Sequence, residues 1–517
     1  MGMMKFAVFA EGQPSDQLDL SQAYLAGPDN VPIRSQMRML GQNLFCEKRV
    51  EGLAALVIPW TVPDVGRVML STTHLPERPE PYNLLVELLR GRVLQNWTKK
   101  EDWGYAYSGP SPEFLHGFTE VKKRFAQALA ALDKPAQAAA LAADALQTAV
   151  QLGEDLALEH ARRGLVYRRE HRELVDLDFG VRIEPSCREK GYQDRIFESF
   201  NYATLPFDWR RVEPREQEFQ WETLDYWVSW LNEKGLAIKA GQALRFTEQC
   251  VPDWLYIWEG DFESIRDYAF EHLLRCVKRY AGKIEHWDVA TGLHVENSLK
   301  FSLDQIMEMT MMGSRVVKKN APQATAVLDV VMPWGDYAAR NQRSIWPLKY
   351  VEMCINGGVE FDAIGLQVYL GAADFYVRDV MEISSLLDLF GGLGKPVHVT
   401  AAGVPSAHQA DPADASEGQR DVAAGGLWHQ PWSERVQSEW VDWFYHIAVG
   451  KPFVTAVSWT ELSDRKGHQF PHAGLVGANL KPKQSYAMML GMKKEIWPEG
   501  ALPEIPVAEP VELWSEY

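Results

Sequence analysis

The sequence predicts an α/β protein whose larger part is a (β/α)8 TIM barrel, preceded by a small β-sandwich-like domain and a helical linker. Three patterns predict this architecture. Short apolar runs lie between turn residues in residues 1–110, residues 111–175 are rich in alanine at helical spacing, and apolar runs alternate with helical patterns in residues 176–500. Residues 501–517 are predicted to form a C-terminal tail.

The N-terminal elements follow from their spacing. Apolar runs at residues 6–9, 54–59 and 65–71 are separated by Gly, Pro, Asn and Asp, which is typical of short strands joined by turns. Residues 82–97 have apolar side chains at helical spacing and are expected to pack on this domain. In the linker, Pro135 suits the first turn of a second helix, so a helical hairpin is predicted.

Eight apolar runs after residue 178 predict the barrel strands. Such barrels place their chemistry at the C-terminal ends of the strands, so those ends are where site residues are expected. The predicted strands are residues 179–183, 197–205, 237–244, 284–290, 325–331, 363–369, 397–400 and 455–459.

Composition narrows the function classes. The chain has 517 residues, is 46% hydrophobic and 24% charged, and carries a formal net charge of −17. This charge argues against nucleic acid as a partner, because the phosphate backbone attracts basic proteins. The 19 tryptophans favour a carbohydrate, since indole faces stack on sugar rings. An oligo- or polysaccharide is therefore the expected partner, and the oligomeric state stays open.

Cysteine usage and the lack of long apolar runs bear on location. The five cysteines are scattered without a CxxC spacing, which predicts neither disulfides nor a zinc site. The first residues show no signal-peptide pattern, and no run approaches the ~18 apolar residues of a membrane span. A cytoplasmic protein without membrane contact is expected.

Several strand ends resemble one family of sugar hydrolases. Their order and spacing over residues 178–495 are similar to glycoside hydrolase family 10, the xylanase family, and the resemblance implies a TIM barrel with an open sugar-binding cleft. The matching stretches are residues 207–214 with Phe219 and Asp225, residues 252–254, 287–289 and 364–367, and Trp459 with residues 481–483.

The departures from the family fall on its chemistry. The resemblance implies a general-acid Glu after strand four and a nucleophilic Glu on strand seven, about 5–5.5 Å apart in a retaining enzyme. This sequence has Gly292 and Ala401 there. Other sugar-binding positions differ too, at Leu205, Asp208, Gln242, Thr291 and Tyr369, whereas Gln367 and Trp459 are kept. The retaining xylanase mechanism is therefore predicted to be absent.

Three acidic residues are candidates for a rebuilt catalytic pair. Glu296 follows the vacated acid position by four residues, Glu461 follows strand eight, and Asp208 ends strand two. An inverting pair needs carboxyls roughly 6.5–9.5 Å apart, and Glu296 with either Glu461 or Asp208 is the proposed combination. Each also has an ordinary interpretation: a surface loop residue for Glu296, and ion pairs with nearby basic side chains for the other two.

Substrate-binding candidates lie at the same strand ends and on one loop. His294 is also a candidate to tune the pKa of Glu296 or to act as an acid. The tryptophans at 428 and 432 belong to a loop that either stacks on a sugar or pins itself to the barrel. His468 and His472 lack a third ligand, so no metal and no cofactor is predicted. The candidates are Trp209, Gln242, His294, Gln367, Tyr369, Trp428 and Trp459.

Three functions remain open from sequence. The first is a glycan hydrolase with a rebuilt acid/base pair, and the second is a pseudo-glycosidase that binds an oligosaccharide without cleaving it. The third is a structural protein whose barrel mouth is plugged. Fold resemblance does not choose among them, because function belongs to the site.

Overall fold

The computed structural model describes residues 2–9, 18–104, 109–295, 297–341, 343–414, 420–465 and 467–498. Its N-terminal part contains two sheets, with strand orders β4-β5-β1-β8 and β16-β7-β6-β2-β3. The strand β16 (Leu427–Trp428) comes from a late barrel loop. The others are β1 (Gly2–Ala7), β2 (Tyr24–Ala26), β3 (Pro32–Ile33), β4 (Ser35–Leu40), β5 (Asn43–Lys48), β6 (Ala55–Val62), β7 (Gly66–Ser71) and β8 (Tyr82–Asn83).

Both N-terminal sheets contribute to one apolar core. Strands β1 and β5 alternate between buried and half-buried residues, as expected when one face of a sheet meets the core. Phe6 and Leu44 from one sheet and Leu56 and Leu70 from the other belong to this core. The predicted sandwich-like domain is confirmed.

Three helices join this domain to the barrel: α1 (Leu84–Asp102), α2 (Pro112–Ala130) and α3 (Pro135–Glu170). Helices α2 and α3 both begin with proline, whose fixed φ and missing N–H suit the first turn. The alanine-rich face of α3 is buried and contacts α1 and α2. A Cβ at Gly164 would lie 2.3 Å from the carbonyl oxygen of Gly450, so glycine allows α3 to touch a barrel helix.

Eight parallel strands form a closed barrel in the order β10-β11-β12-β13-β14-β15-β17-β9, which confirms the predicted TIM barrel. The strands are β9 (Asp178–Arg182), β10 (Tyr202–Pro206), β11 (Ala237–Gly241), β12 (His286–Thr291), β13 (Thr325–Val330), β14 (Ala363–Tyr369), β15 (Val397–Gly403) and β17 (Val454–Trp459).

The prediction of a second strand from residue 197 was wrong at its start. Helix α4 (Lys190–Ser199) occupies that segment, because Tyr192, Ile196 and Ser199 recur at helical spacing and are buried on one face. The other helices are α5 (Trp209–Val212), α6 (Glu222–Lys234), α7 (Phe262–Tyr280), α8 (Leu303–Asn320), α9 (Pro347–Asn356), α10 (Val380–Gly391), α11 (Glu434–Gly450) and α12 (Gln484–Ile496).

A late barrel loop ties the two parts of the molecule together. Strand β16 pairs antiparallel with β7, so the segment after β15 extends the second N-terminal sheet. The Met69 N–H also donates to the Val377 carbonyl at 3.0 Å. Among the helices in the described ranges, none combines the length and apolar character needed to cross a bilayer. All five cysteines are buried free thiols.

Candidate functional site

A cavity of about 200 Å³ opens at the C-terminal ends of the barrel strands. This is the end at which TIM barrels bind ligands. Within the described residues, the lining includes no Asp and no Glu. It includes two basic side chains, seven uncharged polar ones and two phenylalanines: Arg245, Arg420, Thr247, Gln249, Thr291, Asn297, Gln367, Tyr369, Gln469, Phe246 and Phe375.

The two positions at which the family resemblance implies glutamates lie in or beside this cavity. Gly292 lines it with a φ of 65°, and a Cβ there would meet Cγ2 of Val331 at 2.9 Å. Ala401 is 5% exposed on β15 and pairs with Gln367 of β14. A side chain at residue 292 would therefore be strained by its φ and crowded by a stiff β-branched neighbour.

Glu461 lies just beyond β17, beside a buried guanidinium. The Glu461 Oε1 atom is 3.5 Å from Nη1 of Arg182 and accepts a 2.7 Å hydrogen bond from the Gln469 N–H. Both side chains are almost fully buried. Burial raises the pKa of Glu461 to about 7, although Arg182 acts in the opposite direction. This carboxyl therefore exchanges its proton near neutral pH, as a general acid must.

Arg182 is the centre of a charged cluster at the end of β9. Burial lowers its pKa, but Glu461, Asp208 and Glu184 together raise it above the ordinary value. Its three side-chain nitrogens are buried, and within the described ranges none has a hydrogen-bond partner. The cluster is therefore held by charge attraction more than by matched hydrogen bonds.

Asp208 is linked to the cavity through Gln242. With the Gln242 amide oriented by its neighbours, Nε2 donates to Oδ1 of Asp208 at 3.0 Å and Oε1 accepts from Arg245 at 2.7 Å. Gln242 follows the last residue of β11 and has a φ of 67°. Asp208 also lies 3.5 Å from Arg211, which is the ion pair that the sequence offered as its ordinary role.

The carboxylates of β12 and β13 are hydrogen-bonded inside the barrel. Asp288 contacts the Lys239 ammonium at 2.7 Å, and burial raises the pKa of Asp288 to about 6. Asp329 accepts a 2.6 Å hydrogen bond from Gln367 and another from Thr400. Gln367 therefore lines the cavity, and its side-chain amide is held in place by the hydrogen bond to Asp329.

The loops over the mouth are joined by a histidine–carboxylate pair. His468 Nε2 lies 2.9 Å from Asp411, and Asp411 also accepts a 2.8 Å hydrogen bond from the His472 N–H. Burial lowers the pKa of His468, but the hydrogen bonds to Asp411 and to the Arg465 carbonyl, together with the nearby Glu461 charge, outweigh burial and raise the pKa to about 9. Within the described residues, no group of three or more His, Cys, Asp or Glu side chains could hold a metal ion.

Several predicted substrate-binding residues are buried away from the cavity. Trp209 donates to Glu213 at 2.8 Å, Trp459 donates to the Ala473 carbonyl at 2.8 Å, and both are 1% exposed or less. His294 bonds the Val331 carbonyl and stacks on Tyr350, and burial lowers its pKa to about 4. None of these three side chains lines the mouth cavity.

Trp428 pins its loop to the linker. It is fully buried, and its indole N–H donates to Glu154 of α3 at 2.9 Å. His429 contacts the other oxygen of Glu154 at 2.8 Å. Of the two roles open from sequence, these contacts match anchoring of the loop, although the loop is anchored to linker helix α3 and not to the barrel. Trp428 does not line the mouth cavity.

The structure therefore brings Gln367 and Tyr369 to the cavity, with Gln242, Asp208 and Glu461 close behind it. Glu296 lies outside the described residues, between two lining residues, Val295 and Asn297. The Tyr369 hydroxyl shares a 2.9 Å hydrogen bond with Thr460, and its ring stacks on Phe470.

Residues 172–487 match the model of glycosyl hydrolase family 10, which is more than half of the chain. The chain belongs to glycosyl hydrolase family 10. It is 25% identical over 211 residues to endo-1,4-beta-xylanase C of Paenibacillus barcinonensis, covering 37% of this chain and 19% of that protein. It is 25% identical over 213 residues to endo-1,4-beta-xylanase 3 of Hypocrea jecorina, covering 40% of this chain and 54% of that protein.

The chain thus spans about a fifth to about half of the length of these curated relatives. Solved family structures also match. Xylanase 10B from Thermotoga maritima has a TM-score of 0.47 at 18% identity and covers 63% of this chain and 98% of its own. Xylanase 10B from Thermotoga petrophila in complex with xylobiose has a TM-score of 0.47 at 18% identity. The match covers 63% of this chain and 97% of that xylanase.

Sequence reasoning missed the basic residues of the mouth. Arg182 is the last residue of β9, Arg245 follows β11, and Arg420 donates to the Gln469 carbonyl at 2.7 Å. Arg182 had a visible signal, because it is a charged residue inside the otherwise apolar run of residues 179–183. Arg420 had none, since it follows a polar stretch whose position depends on contacts distant in sequence.

Proposed function

We propose that this barrel binds a carbohydrate at its mouth and does not cleave it by the two-carboxylate mechanism. The observation that supports this most is the lining of the mouth cavity, which among the described residues contains arginines, amides and hydroxyls but no carboxyl group. Glycoside hydrolysis needs a carboxylic acid and a carboxylate on opposite sides of the scissile bond.

The positions of Gly292 and Ala401 support the same conclusion. The family resemblance implies the acid and the nucleophile at these two positions, and residue 292 has no room for a side chain without movement of Val331. Arg245 and Gln367 line the cavity with polar groups that we expect to orient hydroxyl groups, while Tyr369 and Phe375 supply apolar surface. We take these lining residues to be the ones that hold a sugar.

The size of the cavity supports a short ligand. Pockets for drug-sized ligands span roughly 300–1,000 Å³. The mouth cavity, at about 200 Å³, is smaller. A long polysaccharide would have to lie across the rim, with only one sugar residue entering the cavity. The curated relatives are named xylanases, so a xylo-oligosaccharide is the first ligand to test.

The test combines binding with product analysis. Calorimetry should detect xylohexaose binding to the full chain, and prolonged incubation should release no reducing ends. Arg245→Ala should weaken binding by roughly tenfold, because a hydrogen bond from a charged donor is worth about 1.5–3 kcal/mol. Arg215→Ala is the matched control, since Arg215 is exposed and its ion pair with Glu218, at 3.4 Å, is exposed too. Equal weakening by both variants would contradict the proposal.

A second candidate is hydrolysis by a rebuilt pair, and one observation favours it. Glu461 has a pKa of about 7, which is suitable for a general acid at neutral pH, and Asp208 belongs to the same charged cluster. If reducing ends are released, Glu461→Gln should abolish the release while binding persists. Glu296→Gln tests the remaining candidate in the same way. Release unaffected by Glu461→Gln, Asp208→Asn and Glu296→Gln would remove all three residues from consideration.

A further inference from the structure

A second and larger cavity lies between the N-terminal domain and the outside of the barrel. Its volume is about 470 Å³, which is within the range of small-molecule sites. Its walls come from residues 71–74 after β7, from α1, from the loop after β13, and from α10. It is separate from the mouth and belongs to neither domain alone.

The cavity is preformed, because hydrogen bonds fix the two domains on either side of it. Met69, which lines the cavity, donates through its N–H to the Val377 carbonyl at 3.0 Å, and the Val377 N–H donates to Gly425 at 2.8 Å. The pairing of β16 with β7 continues the same connection. A ligand entering here would not have to order the walls, which reduces the entropy cost of binding.

Two indoles give the cavity flat apolar surface. Trp334 and Trp346 lie on the barrel side and are both partly exposed. Trp346 packs closely over Gly335, where a Cβ would lie 2.4 Å from its ring. Leu386 and Leu389 of α10 add aliphatic surface. Indole faces of this kind suit the apolar face of a sugar ring.

The charged side chains that line the cavity already have partners, and its acidic member among the described residues, Glu382, accepts a 2.6 Å hydrogen bond from Gln95. Arg378 contacts Asp336 at 2.6 Å, and Lys99 contacts Asp388 at 2.9 Å. Arg92 is buried against Asp379. Because each of these cations is already paired with a carboxylate, an anionic ligand would have to compete with that carboxylate for the cation, whereas a neutral ligand would not.

Neutral hydrogen-bonding groups complete the walls. Thr73, Thr98 and Asn30 line the cavity, and none of them is charged. A ligand that matches indole faces, hydroxyl and amide groups and no net charge is a neutral sugar. We propose that this interdomain cavity is a second carbohydrate site, for a short neutral oligosaccharide, and that it is independent of the ligand bound at the barrel mouth.

The experiment uses the full chain and four trisaccharide probes: xylotriose, cellotriose, mannotriose and anionic trigalacturonate. Calorimetry should find a neutral trisaccharide that binds, with trigalacturonate at least tenfold weaker at this site. Trp346→Ala should weaken neutral binding by about tenfold or more, as expected when a buried aromatic contact of roughly 1.5–3 kcal/mol is lost. Trp97→Ala is the matched control, since Trp97 is on α1, is 46% exposed and does not line the cavity.

A second variant keeps the test valid if Trp346→Ala folds poorly. Leu94 lines the cavity yet is 54% exposed on α1, so Leu94→Trp narrows the opening at little cost to the fold. It should weaken binding like Trp346→Ala. Unchanged binding in both variants would overturn the proposal, as would the absence of binding by all three neutral probes.

The mouth variant separates this proposal from the proposed function. Arg245→Ala should leave the interdomain binding event intact, while Trp346→Ala should leave the mouth event intact. Suppose that calorimetry detects a binding event that Trp346→Ala abolishes and Arg245→Ala leaves intact. This result would support the interdomain site even if the mouth binds nothing. One event lost only in Arg245→Ala would support the mouth and overturn the second site.

Discussion

The two sides of the barrel mouth differ in where they keep their charge. The side formed by β17, β9 and β10 holds Glu461, Arg182 and Asp208, all buried. The side formed by β12 to β15 has Gly292 and Ala401 at its rim. The three charged side chains therefore contact other parts of the protein and not solvent. By contrast, Gly292 and Ala401 lie where the family resemblance implies reacting groups.

The two sides also differ in how well their polar groups are matched. On the β12–β15 side, Asp329 accepts hydrogen bonds from Gln367 and Thr400. On the other side, the guanidinium of Arg182 lacks a hydrogen-bond partner throughout the ranges that the structure describes. A buried charge held mainly by attraction is sensitive to loss of its partner and to pH. Substitutions should therefore act most strongly on the charged side.

The largest expected effect is that of Arg182→Met. This change leaves Glu461 buried without its cation, and breaking a buried ion pair costs about 3–5 kcal/mol. Urea unfolding should show a loss of that order in the free energy of unfolding. Arg215→Met is the control, because its ion pair with Glu218 is exposed and should be worth less than about 1 kcal/mol.

The double variant Arg182→Met/Glu461→Leu sharpens this test. Removing both charges should recover much of the lost stability, because no unpaired charge stays buried. A single Arg182→Met variant as stable as the wild type would mean that the two sides of the mouth do not differ in this respect.

The next effect is a pH dependence due to Glu461. Its pKa in the folded protein, about 7, is above the ordinary value of 4.5, so the folded state holds this proton more tightly than the unfolded state. The resulting stability is present at low pH and is lost as pH rises through 7. Relative to Glu461→Gln, the wild type should lose about 2 kcal/mol between pH 5 and pH 7.5. If the free energies of unfolding of the two proteins differ by the same amount at pH 5 and at pH 7.5, the pKa of Glu461 is not raised.

The fold was predictable because its strands and helices follow from local patterns of apolar residues along the sequence. All eight barrel strands were located from apolar runs, and the error at the start of the second arose because the apolar Phe197, near the end of helix α4, was assigned to the strand. The charged side was not predictable in the same way. Arg182 and Glu461 meet only when the barrel closes and β9 pairs with β17.

Trp428 shows the same limit from another direction. An indole on a long loop has the same sequence signal whether it binds a ligand or anchors the loop. Its partner Glu154 belongs to the linker helix α3, and no local pattern connects the two. Long-range pairing, not propensity, decides the role of such a residue.

An effect of similar size is expected at Gly292. Replacement by alanine combines a positive φ with a Cβ 2.9 Å from Val331, so Gly292→Ala should destabilise the protein by about 2 kcal/mol. Gly235→Ala is the matched control, because Gly235 has a φ of 70° and no atom within 4 Å of its built Cβ. The control should cost about 1 kcal/mol. Equal costs in urea unfolding would show that residue 292 has room for a side chain after all.

The smallest effect concerns the bond that joins the two sides. Tyr369 of β14 shares a 2.9 Å hydrogen bond with Thr460, which follows β17. Tyr369→Phe and Thr460→Val should each destabilise the protein, and the double variant should cost less than their sum. The coupling energy from this double-mutant cycle should be about 1 kcal/mol, the usual net value of one hydrogen bond. A coupling near zero would mean that the two sides are energetically independent, so that a ligand held by Tyr369 would not sense the charged cluster next to Thr460.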